Sequence, residues 1–171
     1  MLLVVCDSTP LIYLARLGHF DLLRQLHELV LIPQAVWNEV AVRGAQFVEG
    51  TAVQVAVKAG WMRVATPVGH LQVSQSEADD LDPGEEEALQ LAVERDAMIA
   101  IGESHGRDVA KRLGLRVTGT VGILVRARHE GLIQALAPEL ARLRRTTFRL
   151  SEAVVRQALA SVGETAEPLI S

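Results

Sequence analysis

Four acidic residues stand where apolar runs end or where helices begin: Asp7, Glu39, Glu85 and Glu103. Asp7 closes the run Leu2 to Cys6, and Glu103 follows the run that ends at Ile101. Glu85 lies in the first turn of a helix opened by Asp82-Pro83-Gly84, and Glu39 lies on a helix opened by Pro33. Ligands of a parallel α/β sheet collect outside the carboxyl ends of its strands, so these four side chains are expected to meet at one edge. Converging carboxylates repel one another, and a hard cation, Mg²⁺ or Mn²⁺, makes such a cluster tolerable. The expected metal ligands and catalytic residues are therefore Asp7, Glu39, Glu85 and Glu103. Each also has a plainer reading: Asp7 as a turn or cap residue, Glu85 as the third position of a capping box, Glu39 as a surface helix residue and Glu103 as a loop acid. Ala88, Leu89 and Ala92 follow Glu85 by three, four and seven positions and put it over the apolar face of its helix. Glu86 and Glu87 flank that face and are expected in solvent, with Glu87 an alternative ligand.

Three apolar runs, 2–6, 29–32 and 97–101, with a weaker strand around 61–65 and a short one at 115–117, supply the strands that would hold these acids. The first is unbroken and stops at Asp7-Ser8-Thr9-Pro10, as a buried parallel strand entering a helix does. Ser8 or Thr9 is expected to cap that helix, with Pro10 in its first turn. Helical spacing then covers Leu11–Leu17, Phe20–Leu26, the stretch after Pro33, and 51–60. Asp82-Pro83-Gly84-Glu85 combines an Asp cap, an early Pro and a Glu three residues on, and predicts a helix to about Arg95. Further helices are expected over 106–113, 120–129, 139–145 and 151–161. The polar stretch 67–82 reads as a mobile loop. Helix and strand alternate, which predicts a three-layer α/β/α sandwich around a central, mainly parallel sheet of four to five strands, with right-handed crossovers placing helices on both faces. One domain over 1–162 and a fraying tail over 163–171 are expected.

At 171 residues and 49% hydrophobic, the chain can bury a well-packed core. A formal net charge of −4 argues against nucleic-acid binding by the molecule as a whole, so RNA contact must come from local basic patches. Arg142, Arg144 and Arg145 form one such patch; Arg107, Lys111 and Arg112 form another, for which a solvated face is the simpler account. The single cysteine, Cys6, sits in an apolar run and fits core packing in a reducing compartment. No basic leader and no membrane-length apolar run are present, and a cytoplasmic location is expected. A nucleotide-binding α/β protein is disfavoured, because no glycine-rich loop follows the first strand.

Five segments in order resemble the PIN-like superfamily, and within it a branch of short prokaryotic proteins related to toxin ribonucleases of toxin–antitoxin pairs. They are Val5 to Ile12, Ile32 to Val40, Asp82 to Ala88, Gly106 to Leu115, and Val117 to Leu124. The resemblance implies a Mg²⁺- or Mn²⁺-dependent phosphodiesterase site with RNA as substrate, an antitoxin protein as partner, and a homodimer. It aligns Asp7, Glu39, Glu85 and Glu103 with the family's acids. The family usually carries an aspartate and then a second acid where this chain reads Gly102-Glu103, so either Glu103 compensates or the site is weakened. His105 is an alternative base, with solvent exposure the plainer expectation. A PIN-like module that binds RNA or a protein without cutting is the competing implication.

Overall fold

The structure, a computed structural model, describes residues 2–102 and 105–165. Five strands form one sheet: β1 (Leu3–Cys6), β2 (Leu29–Pro33), β3 (Met62–Ala65), β4 (Met98–Ala100) and β5 (Val117–Thr118). Their order is β3-β2-β1-β4-β5, and every pairing is parallel. Val4 and Val5 are both fully buried although successive strand residues point to opposite faces, so both faces of the central strand are covered. That is the α/β/α sandwich expected from the alternation of elements.

The connecting helices are α1 (Ser8–Arg16), α2 (Leu22–Leu26), α3 (Gln34–Trp37), α4 (Val48–Ala59), α5 (Gln75–Asp79), α6 (Pro83–Arg95) and α7 (His105–Arg112). A π-helical segment, Asn38–Arg43, continues α3. The side chains of α6 and α7 form one apolar cluster with the sheet: Ala88, Leu89, Leu91, Ala92, Val109 and Ala110 meet Val5, Leu31, Ile99 and Ile101. Helix α6 is thereby fixed over the middle strands, which brings its N-terminus to their carboxyl ends.

The stretch 67–82, expected as a mobile loop, holds the short helix α5. Ser74 and Glu77 form a reciprocal capping box that starts α5. Ahead of it, the Glu94 carboxylate accepts the N–H groups of Val68 and Gly69 at 3.0 and 2.7 Å. Glu77 also pairs with Arg112, so that arginine is not simply a solvated charge.

The chain divides between Thr120 and Val121 into two compact units. In the second lie α9 (Ala137–Arg144) and α10 (Glu152–Ser161), following α8 (Thr120–His129). Leu140, Leu143, Ala158 and Leu159 are buried there. Glu164, within the stretch read as a tail, accepts the N–H groups of Leu136 and Ala137 at 2.8 and 3.1 Å and pairs with Arg128 at 3.2 Å. Residues 166–171 lie outside the described ones. Among the described residues no helix is long and apolar enough to cross a membrane.

Candidate active site

Asp7 leaves the end of β1 and donates its N–H to the Ala100 carbonyl at 2.9 Å, which locks its backbone to the neighbouring strand. It holds the cap position of α1, displacing Ser8 and Thr9 from that role, but its carboxylate makes no cap bond further into the helix. Among the described residues the carboxylate accepts the Ser8 N–H, and the side chain is buried. Burial pushes its pKa up to about 7. The Ser8 amide acts against that shift, and the charges of Asp82, Glu85 and Glu39 add to it. No ion pair to Asp7 forms among the described residues.

Glu85 is also buried, under the start of α6. Its N–H donates to Asp82 Oδ1 at 2.8 Å, and its Oε2 accepts the Asp82 N–H at 3.1 Å, completing the capping box. The other oxygen, Oε1, faces α7: a Cβ placed on Gly106 would lie 3.1 Å from it. Gly84 plays the same part beside Asp7. A Cβ there would stand 3.3 Å from both Asp7 Oδ1 and Asp82 Oδ1, so those two oxygens lie within twice that distance of each other. Two glycines thus make room for the carboxylates. Glu39 sits on the π-helical segment, a feature frequent at functional sites. It is exposed, but its Oε2 accepts the buried Ser8 hydroxyl at 2.5 Å and is drawn to the same edge.

The structure therefore gathers Asp7, Glu39 and Glu85, and adds Asp82. Asp82 looked like a cap in the sequence and is one; its charge on Asp7 is what the capping signal concealed. Glu103 lies outside the described residues. Glu87, read as solvated or as an alternative ligand, accepts the Ala35 N–H at 2.9 Å and so anchors the start of α3. His105 is half-buried rather than exposed, and its Nε2 is shielded without a hydrogen-bond partner among the described residues. Arg107, also half-buried, donates to the carbonyls of Ile101 and Thr118 at 3.5 and 3.3 Å, holding the ends of β4 and β5 together. Cys6 is buried and its thiol is pushed up by that burial and by Asp7, as a core residue.

Gly102 has an ordinary backbone, without the positive φ that would demand glycine. The constraint is space: a Cβ there would meet Thr9 Oγ1 at 3.0 Å and Thr9 Cβ at 3.2 Å. Thr9 fills the place into which a side chain at 102 would start.

The donors at this edge are all oxygen and mostly carboxylate, the kind Mg²⁺ and Mn²⁺ select. Asp7, buried and without a cation, fits such an ion chemically. As placed, no three His, Cys, Asp or Glu side chains among the described residues are arranged to hold one.

No curated protein matches the chain. A solved PilT N-terminus domain protein from the archaeon Sulfolobus solfataricus P2 is similar at 13% identity, covering 88% of this chain and 100% of its own, with a TM-score of 0.36. The PIN domain family matches residues 3–164, nearly the whole length. The chain belongs to the PIN domain family.

Proposed function

We propose that this protein is a divalent-metal-dependent ribonuclease, acting as the toxin of a toxin–antitoxin pair. The family suggests nuclease-type function in general, and PIN domains are generally divalent-metal dependent. The observation that carries the reading is Asp7, a buried carboxyl at a strand end surrounded by Asp82, Glu85 and Glu39. Asp7 and Glu85 would hold the ion, with Glu39 oriented by the Ser8 hydroxyl and Glu103 as the fourth acid. The ion, when bound, supplies Lewis-acid activation of water and neutralises charge on the phosphate. The chain itself supplies position: Ala100 and Ser8 fix Asp7, and the capping box fixes Glu85. A water attacks the phosphorus in line, its proton passes to Glu103 or His105, and the ester oxygen leaves with a proton from solvent.

Calorimetric titration with Mg²⁺ and Mn²⁺ of wild type and Asp7→Asn, beside digestion of a mixed RNA pool, tests this. Binding and cleavage are expected in wild type and neither in the variant. Equal affinity in both proteins, or none in either, removes the metal site. A homodimer and an antitoxin partner belong to the same reading. Exposed Val42, Phe47, Val48 and Val55 support a surface of that sort. A monomer by light scattering at tens of micromolar would refute the dimer.

A second reading, a PIN module that binds RNA or protein without cutting, is favoured by Thr9 filling the space beside Gly102. RNA bound but left intact in the presence of Mn²⁺ would select it.

A further inference from the structure

The second compact unit carries an uneven distribution of arginine. Arg126, Arg128 and Arg142 are each paired, with Glu130, Glu164 and Glu139. Arg144, Arg145, Arg149 and Arg156 are exposed, and no acid among the described residues pairs with them. In a chain of net charge −4, these four fall within the end of α9, the first half of α10 and the connection between them. Arg144 and Arg156 line a cavity of about 930 Å³ formed by those two helices, whose other walls include Leu140, Ala141, Val155 and Leu159. The Arg144 guanidinium also reaches the Leu150 carbonyl at 3.4 Å, holding it beside the connection.

We infer that this groove is a docking surface for single-stranded RNA, bound through its phosphates and without sequence preference. Arginine presents a planar fork that matches phosphate oxygens two at a time, which ammonium groups do not. Arg144 and Arg156 in the lining and Arg145 and Arg149 on the adjoining connection face two lining acids, of which Glu164 is already held by Arg128, and this excess of positive charge complements a polyanion, whereas a groove for an apolar protein helix needs none. The apolar floor accepts the faces of unstacked bases, which a duplex keeps covered. Among the described residues no aromatic side chain lines the cavity, so base stacking contributes little and the phosphates carry the affinity. Two acids line the cavity: Glu164, which Arg128 pairs, and Glu152 of α10, which opposes the ligand. The inference rests on the reading of RNA as substrate and gives that RNA a second hold.

The test is fluorescence anisotropy with a short fluorescein-labelled single-stranded RNA of mixed sequence, in EDTA, across a salt series. Wild type, Arg144→Gln/Arg156→Gln, Arg145→Gln/Arg149→Gln and Glu152→Gln are compared, with melting curves for each. With about 0.7 of a counterion released per phosphate contact on single strands, four contacts give a slope of log K against log salt near −3. Each pair of glutamines is expected to lower the magnitude of that slope by about 1.4, and Glu152→Gln is expected to tighten binding. Glutamine variants that keep wild-type affinity and slope overturn the inference. So does a wild type that binds no RNA at low salt, which would leave the groove to an acidic protein segment. Cleavage is scored separately with Mg²⁺ and Mn²⁺: RNA held through these arginines but never cut upholds the groove and removes the nuclease reading.

Discussion

Replacing Asp7 by Asn should stabilise this protein in the absence of divalent cations, although the residue is proposed as essential. A carboxyl whose proton is retained to about pH 7 in the fold, against 3.8 in the open chain, is forced to ionise at an energetic disadvantage. At 1.36 kcal/mol per pH unit, that amounts to roughly 4 kcal/mol once the pH exceeds the folded value. Between about pH 4 and 7 the native state binds the extra proton, so stability is greatest below that window and falls as pH rises through it. Because Asp7 is almost wholly buried, solvent screening removes little of the effect. Asparagine keeps the shape and carries no charge. Urea unfolding in EDTA from pH 5 to 8.5 should show wild type losing several kcal/mol and Asp7→Asn much less, with the curves crossing so that the variant is the more stable at pH 8. Added Mg²⁺ at pH 8 should raise the melting temperature of wild type alone. Parallel pH profiles for the two proteins would refute the argument, because they would mean that the Asp7 charge is not confined by the fold.

The other predictions concern neighbours of that carboxyl. Gly102→Asp should destabilise by about 1–3 kcal/mol through its contact with Thr9, and Thr9→Gly should recover part of the loss, as read by thermal melts. If Thr9→Gly recovers nothing, the steric account is wrong. Glu87→Ala should cost about 1–3 kcal/mol by leaving the Ala35 N–H without its acceptor, while leaving cation affinity within a few fold of wild type. Ser8→Ala should reduce Mn²⁺ affinity on the order of 10-fold by releasing Glu39, a loss seen by calorimetry without a fall in melting temperature of similar weight.

The central strands β1, β2 and β4 were legible because a buried parallel strand is a continuous apolar run, while β3, which contains Arg63, and β5, which overlaps the expected 115–117 only at Val117, carried a weaker signal. Their ends shifted by a residue or two; β4 is Met98–Ala100 inside the expected 97–101. Helix α5 was hidden by the polarity around it, yet Ser74-Gln75-Ser76-Glu77 carries the capping-box spacing that could have revealed it. Asp7, Glu39 and Glu85 were legible from their places after strands and at helix starts. Asp82 was not, because its capping role already explained its type. The bond from Ala35 to Glu87 joins residues 52 apart in sequence, and no local pattern announces it.

Two buried acids show why the strand-end cluster asks for an explanation beyond folding. Glu49 is as buried as Asp7, and the fold answers its charge with Arg16 at 3.0 Å. Asp7 instead receives, among the described residues, three further carboxylates and a single amide, an arrangement that opposes folding at neutral pH. A cap needs no such surroundings: Ser or Asn would serve at that position without a charge. Gly106 leaves a space beside Glu85 Oε1 and Ile101 that any side chain would close. Chains that keep a locally unfavourable arrangement do so where function requires it, and here the unfavourable quantity is concentrated negative charge on oxygen. A divalent cation is the species whose binding turns that charge from a destabilising feature into a stabilising one, so cation-dependent stability should depend on Asp7 and not on Glu49.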